Sequence, residues 1–299
     1  MIIQKGRYVF GLLAAMLLLV LAACSPSTGT SSNGTSSLTV AQVLQNATTK
    51  MQQLKSVHFV TNVKGNVQAS GSSSSTSNSV TFALTGNGDE MMPDSERLQV
   101  ALNPSMSLSE IVLGNKVYIQ NTKGQWYVID KDTLASYTGN PFNGINMPDT
   151  NQMLAIAESA QITDHGDQSL NGATLRHITV TFDKASFKQF LTNNDQLKGL
   201  LGKQDIAPII DNTKSFLATL DLWIDEGTSY LHRTELKFNL DANLSSLSSM
   251  VTPTTGTVPS NVTTNVDSIV DLSQFDAPIT ITPPSNAIPT NNPMAIFQG

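Results

Sequence analysis

One cysteine, Cys24, is present in 299 residues, so no disulfide can form within the chain. The fold must therefore be held by its hydrophobic core. Charge is scarce too, at 13%, and leans acidic, with 17 Lys and Arg against 23 Asp and Glu. An acidic chain without a basic cluster makes a poor partner for nucleic acid or for an anionic lipid surface. The four histidines, His58, His165, His177 and His232, lie far apart. No two have the i, i+4 spacing of a helical metal site, and no second cysteine joins them, so no metal is expected. There is no G-x-S-x-G elbow and no S-x-x-K with its partner motifs. The segment Gly199-Leu-Leu-Gly-Lys203 lacks the spacing and the following Ser or Thr of a phosphate loop. Asp221, Asp225 and Glu226 lie close together, as acid–base carboxylates do, but a strand with charged ends gives the same pattern. Asp164, Asp167 and Asn171 do not follow the spacing of an EF-hand loop. These absences leave no catalytic residue and no cofactor, and the chain reads as a non-enzyme.

What is present begins at the N-terminus. Lys5 and Arg7 form a positive n-region, and residues 8–21 form an apolar stretch of about 14 residues, too short for a bilayer that needs about 20. Leu21-Ala-Ala-Cys24 then reads as a lipobox: small residues admit the peptidase and the thiol accepts the lipid. The expectation is a lipoprotein signal at residues 1–23 and lipidation at Cys24, which anchors the mature chain outside the cytoplasm. Two or three acyl chains on one residue hold far more firmly than the marginal grip of a single myristoyl chain. Loss of Lys5 and Arg7 with the leader takes the net charge from −6 to −8. Residues 25–37 are rich in Ser, Thr, Gly and Asn, a tether with an end-to-end distance of about 20 Å.

Beyond the tether the periodicity alternates between helix and strand. Val40, Val43, Leu44, Ala47, Met51 and Leu54 fall on one helical face, with Thr39 as a plausible N-cap. The period then becomes two. Val57 to Val63, Val80 to Leu84, Leu98 to Leu102, Ile111 to Leu113, Val117 to Ile119 and Trp126 to Ile129 form a predicted antiparallel meander, with turns at Gly114-Asn115 and Lys123-Gly124. Residues 70–79 read as a hairpin tip. Residues 134–137 and 153–160 read as helical pieces. Asn171-Gly172 joins two strands, 162–170 and 173–182. Residues 184–201 and 206–216 read as helices, and 217–225 and 231–240 as long strands. A polar loop over 245–264 follows, then strands at 266–272 and 278–281. The expected fold is α+β: a large curved antiparallel sheet, a half-barrel, wrapped around helices on one face. One domain is expected over 38–284, with a loose tail at 285–299.

Three segments carry a resemblance. They are Lys116-Val-Tyr-Ile-Gln-Asn-Thr-Lys-Gly-Gln-Trp-Tyr-Val-Ile-Asp130, Leu222-Trp-Ile-Asp-Glu-Gly-Thr-Ser-Tyr-Leu-His-Arg-Thr-Glu235 and Val270-Asp-Leu-Ser-Gln-Phe-Asp-Ala-Pro-Ile-Thr-Ile-Thr-Pro-Pro284. In this order, behind a lipobox and an amphipathic helix, the chain resembles the LppX/LprG-type lipoproteins, relatives in fold of the LolA/LolB lipoprotein carriers. The resemblance implies a hydrophobic cavity between sheet and helices that takes a lipid, a glycolipid or another apolar ligand. The side chains expected to line it are Phe59, Val63, Phe82, Leu84, Val100, Leu102, Phe187, Phe190, Leu222, Ile224 and Phe238. A filled core uses the same side chains, and an envelope scaffold of the same fold is the alternative.

Overall fold

Alternation of apolar and polar residues from position 56 onward gives strands with one buried face, and these strands pair into a single sheet. The computed structural model describes residues 38–70, 77–102, 106–136, 160–193, 210–243 and 260–297. The leader, Cys24, the tether, residues 153–159 and the Gly199–Lys203 segment lie outside the described residues.

In chain order the elements are α1 (Val40–Gln52), β1 (Ser56–Ser70), β2 (Ser77–Met91), β3 (Ser95–Leu102), β4 (Met106–Leu113), β5 (Lys116–Gln120), β6 (Trp126–Asp130), α2 (Lys131–Ser136), β7 (Gln161–Leu170), β8 (Ala173–Phe182), α3 (Lys184–Asn193), β9 (Thr213–Ile224), β10 (Leu231–Asn243), β11 (Asn261–Ser273), β12 (Ile288–Pro289) and α4 (Pro293–Phe297). The strands form one 12-stranded sheet in the order β12-β6-β5-β4-β3-β2-β1-β11-β10-β9-β8-β7. All pairs are antiparallel except β12 on β6. The sheet is open and curved, an α+β half-barrel. β1 is its spine: one wing meanders away from it through β2 to β6, and the other returns to it through β7 to β11.

Local chemistry sets the ends of the elements. Thr39 caps α1 through a reciprocal box, its Oγ1 accepting from the Gln42 backbone N–H while the Thr39 N–H donates to the Gln42 side chain at 2.9 Å. Such a cap contributes about 1 kcal/mol. The β7–β8 turn puts Asn171 at φ 53° and Gly172 at φ 84°, the left-handed pair that a two-residue hairpin requires. The end of α1 is clasped to the far ends of β10 and β11. Tyr230 donates to Asp276 at 2.7 Å, the Lys55 N–H donates to the same carboxylate at 2.8 Å, and Tyr230 stacks on Phe275 at 4.2 Å.

Five expectations need correction. Of residues 70–79, read as a hairpin tip, Ser70 belongs to β1 and 77–79 to β2, because the two strands pair as far as Ser70 and Ser77. Residues 213–216 are strand, not helix, because Phe216 opens the period-two series Phe216, Ala218, Leu220, Leu222, Ile224, and Thr213 pairs with Ala242 of the long β10. Residues 261–264 belong to β11, hydrogen-bonded to β1 on one side and β10 on the other; ladder bonding on both edges overrides their polarity. Residues 278–281 are not a strand, and Pro278 has no N–H to give a ladder. The outer edge of β6 is closed by β12 instead. Of the segment read as a loose tail, 285–299, the part up to residue 297 is packed: it carries β12 and α4, and Ile296 is 1% exposed against Val117, Ile119, Ile129 and Leu134.

Candidate functional site

The register defines the inner face. Odd residues of β1 (Phe59, Thr61, Val63) stand beside even residues of β2 (Gly88, Gly86, Leu84), then Leu98, Val100 and Leu102 of β3. On the other side of β1 the same rows continue through Leu272, Val270 and Ser268 of β11. The two wings carry this face differently.

In the wing of β7 to β11 the face is a filled core. Ile178, Val180, Ala218, Leu220, Leu222 and Ile224 cluster with Val43, Leu44, Ala47, Met51 and Leu54 of α1. Ile178, Val180 and Ala218 are 0% exposed. At about 25 cal/mol per Å² of apolar area, each such side chain contributes roughly 1.5–3 kcal/mol. Phe187 of α3 closes one end, with its ring centroid 5.1 Å from Phe216 and 5.5 Å from Phe238. Leu222, Ile224, Phe187 and Phe238 of the expected lining therefore sit in or against packed chain.

In the wing beyond β1 the face is built partly over glycines. Phe59, Val63, Leu84 and Val100 are buried and Phe82 is half-buried. Val63, Leu84 and Val100 cluster with Val266 of β11, Phe82, Leu98 and Phe238, and no described helix joins them. Two glycines shape this wall. Gly65 lies opposite Phe82 and Gly88 opposite Phe59. A Cβ at Gly65 would lie 2.2 Å from Cζ of Phe82, and one at Gly88 2.5 Å from Cζ of Phe59. Each phenyl ring thus occupies the place of the missing side chain across the strand gap and lies along the sheet. A third glycine, Gly86, lets Thr61 lean over it. The Thr61 Oγ1 is buried with no hydrogen-bond partner, a polar atom left open on an apolar wall. Leu102 lies in β3 and Phe190 in α3, and their side chains lie outside the described residues.

One end of this wall is acidic. Glu90 of β2 lies directly opposite Glu96 of β3, and Glu110 of β4 lies opposite Leu98, diagonal to Glu96. All three follow the phase of the apolar positions and face inward. Burial raises the Glu90 carboxyl above its ordinary range. Burial, then the charge of Glu90, pushes Glu96 up to about 7. Burial, then the charge of Glu96, pushes Glu110 up to about 8, and Lys131 at the start of α2 opposes both shifts. These glutamates were not among the candidates read from the sequence. The signal was there: Glu90, Glu96 and Glu110 occupy the slots of the period-two series where a core residue belongs.

The outer face carries polar groups that pair with one another. His58 meets Asp89 at 2.7 Å, and Arg97 pairs with the same carboxylate. His177 stacks between His165 and Trp223 at 4.4 Å from each and approaches Asp221 at 3.1 Å. Asp225 accepts from the Gly227 N–H within its own turn. Arg176 is buried in phase with Ile178 and Val180 on the inner face, where it holds Asp164 and lies 3.2 Å from Glu226. Asp164, Asp221, Asp225 and Glu226, weighed for calcium and for catalysis, thus meet different partners. Among the described residues no three His, Cys, Asp or Glu side chains converge on a metal position.

No protein-family model and no curated protein sequence matches the chain. Among the described residues no helix is long and apolar enough to cross a membrane. Among solved structures, the lipoprotein LppX of Mycobacterium tuberculosis aligns over 80% of this chain and 96% of its own, at 13% identity and a TM-score of 0.42. LprF of Mycobacterium bovis aligns over 81% of this chain and 95% of its own, at 17% identity and a TM-score of 0.36. Both are of the LppX/LprG type that the three sequence segments resemble.

Proposed function

We propose that the chain is a lipoprotein, anchored through Cys24 to the outer face of a cell membrane, that holds an apolar ligand against the inner wall of β1 to β4. The ligand is the tail of a lipid or glycolipid, and the protein binds and passes it on without chemistry. The observation that carries this reading is the pair of phenyl rings laid over glycines. Phe59 and Phe82 lie flat over Gly88 and Gly65, where a filled core would have side chains standing off the sheet to meet the opposite layer. Flat rings on a glycine floor give a smooth apolar surface, the lining that drawn-out hydrocarbon requires. The lipobox, the tether and the sequence resemblance support the same reading, because a short tether keeps the wall close to the membrane that supplies the ligand.

Mass spectrometry of organic extracts from the purified chain tests it. The expected outcome is a lipid in stoichiometric amount. Repeated absence of lipid, together with no binding of a fluorescent lipid probe, overturns the reading and leaves a scaffold with a filled interior.

A further inference from the structure

Three inward-facing glutamates are an anomaly on a wall otherwise built of Phe, Val, Leu and Gly. Carboxylates directly opposite one another across a strand gap repel, and taking them out of water adds a further penalty. Glu90 and Glu96 form such a pair. Independently of that pair, Glu110 is 4% exposed, points into the same patch, and makes no hydrogen bond or ion pair to any described residue. The charged neighbours are accounted for. Arg97, His58 and Asp89 face the opposite side of the sheet and engage one another. Lys131 acts on Glu96 and Glu110 from α2 without contacting them. Once pH rises past about 8, the patch therefore holds negative charge that no cation contacts, beside an apolar wall.

We propose that Glu90, Glu96 and Glu110 form a headgroup subsite for the cationic nitrogen of an amphiphile, an ammonium group, whose tail lies on the wall of β1 to β4. This rests on the reading of that wall as a ligand surface. The chemistry selects among ligands. An anionic headgroup would add to the repulsion. A hydroxyl would not discharge it. A divalent metal is disfavoured because no three donors converge on one point among the described residues, whereas an ammonium group is broad enough to sit between carboxylates that stand apart. Residues that break the local pattern at a cost in stability are where ligand sites concentrate.

Calorimetric titration of the full chain bearing Cys24→Ala with octylammonium, octanol and octyl sulfate tests the subsite. Near pH 8.5 the carboxyls are ionised, and octylammonium is expected to bind about tenfold or more tightly than octyl sulfate. Near pH 5.5 the Glu96 and Glu110 carboxyls are protonated and the preference should fall to about twofold or less. The E96Q/E110Q variant, which keeps side-chain shape, should lose the preference at both pH values and bind octanol as before. Equal affinity for both charged probes at pH 8.5, or a preference that survives in E96Q/E110Q, overturns the proposal. Octanol binding without a headgroup preference would leave the apolar wall standing and remove the subsite. A pH-dependent octylammonium preference without octanol binding would do the reverse, and no binding of any probe removes both.

Discussion

The inner face of the sheet is built differently on the two sides of β1. The wing of β7 to β11 turns β-branched and Leu side chains into α1 until Ile178 and Val180 are wholly shielded. The wing beyond β1 has the same period, yet its inner face carries Gly65, Gly86 and Gly88, rings laid flat, a buried Thr61 hydroxyl without a partner and three glutamates. Each of these features lowers stability relative to a filled core. Both sides bury their inner face, but between β1 and β4 that face is built over glycines, and its apolar cluster includes no residue of a described helix.

The largest effect should fall on the packed wing. Leu44 of α1 is 1% exposed at the centre of that cluster. Leu44→Ala is expected to lower the unfolding free energy by about 3–5 kcal/mol in urea titrations, with lipid content per folded molecule unchanged. A loss below about 1 kcal/mol would mean that α1 covers the sheet loosely, and the contrast between the wings would fail.

Next in size is Glu110→Gln, and its sign depends on pH. The folded carboxyl titrates near 8 instead of the usual 4.5, so between these values the folded state holds a proton that the unfolded state has released. Stability from this group is complete below about pH 4.5 and is lost as pH rises through 8. A tenfold difference in proton affinity between the two states corresponds to about 1.4 kcal/mol, so near pH 9 the glutamine variant should be more stable than the parent by a few kcal/mol. Below about pH 4.5 the two should coincide. Thermal melts across pH read this directly. A variant less stable than the parent at pH 9 would show that Glu110 is held by a partner, and the acidic patch would belong to the packed half.

The packed wing was the easier half to read. Helix α1, its Thr39 cap and the Asn171-Gly172 hairpin follow from local signals that need no tertiary knowledge. Where the sequence misled, longer-range pairing decided. The start of β9 is strand because β10 extends far enough to pair with it, and 261–264 is strand because it lies between two partners. The C-terminal segment looked loose because a two-residue strand and a one-turn helix leave no periodicity. On the β2 to β4 side, the apolar residues of the wall were legible from alternation. Its shape was not, because the positions that matter are glycines, which carry no pattern of their own and acquire meaning only when the register sets Phe82 over Gly65 and Phe59 over Gly88. The glutamates were hidden for a similar reason: they announce themselves as anomalies only once β2, β3 and β4 are aligned.

Gly65→Ala gives the smallest change in stability and the sharpest test of the contrast. The backbone at Gly65 has no positive φ, so alanine meets no conformational strain, and it removes the entropic penalty of glycine, worth roughly 0.5–1 kcal/mol. The one obstacle is the Phe82 ring, which would be 2.2 Å from the new Cβ. That ring must rise off the sheet. If the space above it is occupied by the chain's own side chains, the ring has nowhere to go, and overpacking should cost about 1–3 kcal/mol. If the space belongs to a ligand, the ring enters it freely. The expected result is therefore a stability change within about 1 kcal/mol and a marked fall in co-purified lipid, read by melts and extract mass spectrometry on the same preparation. A large loss of stability with lipid retained would place Phe82 in a filled core and make the two wings alike.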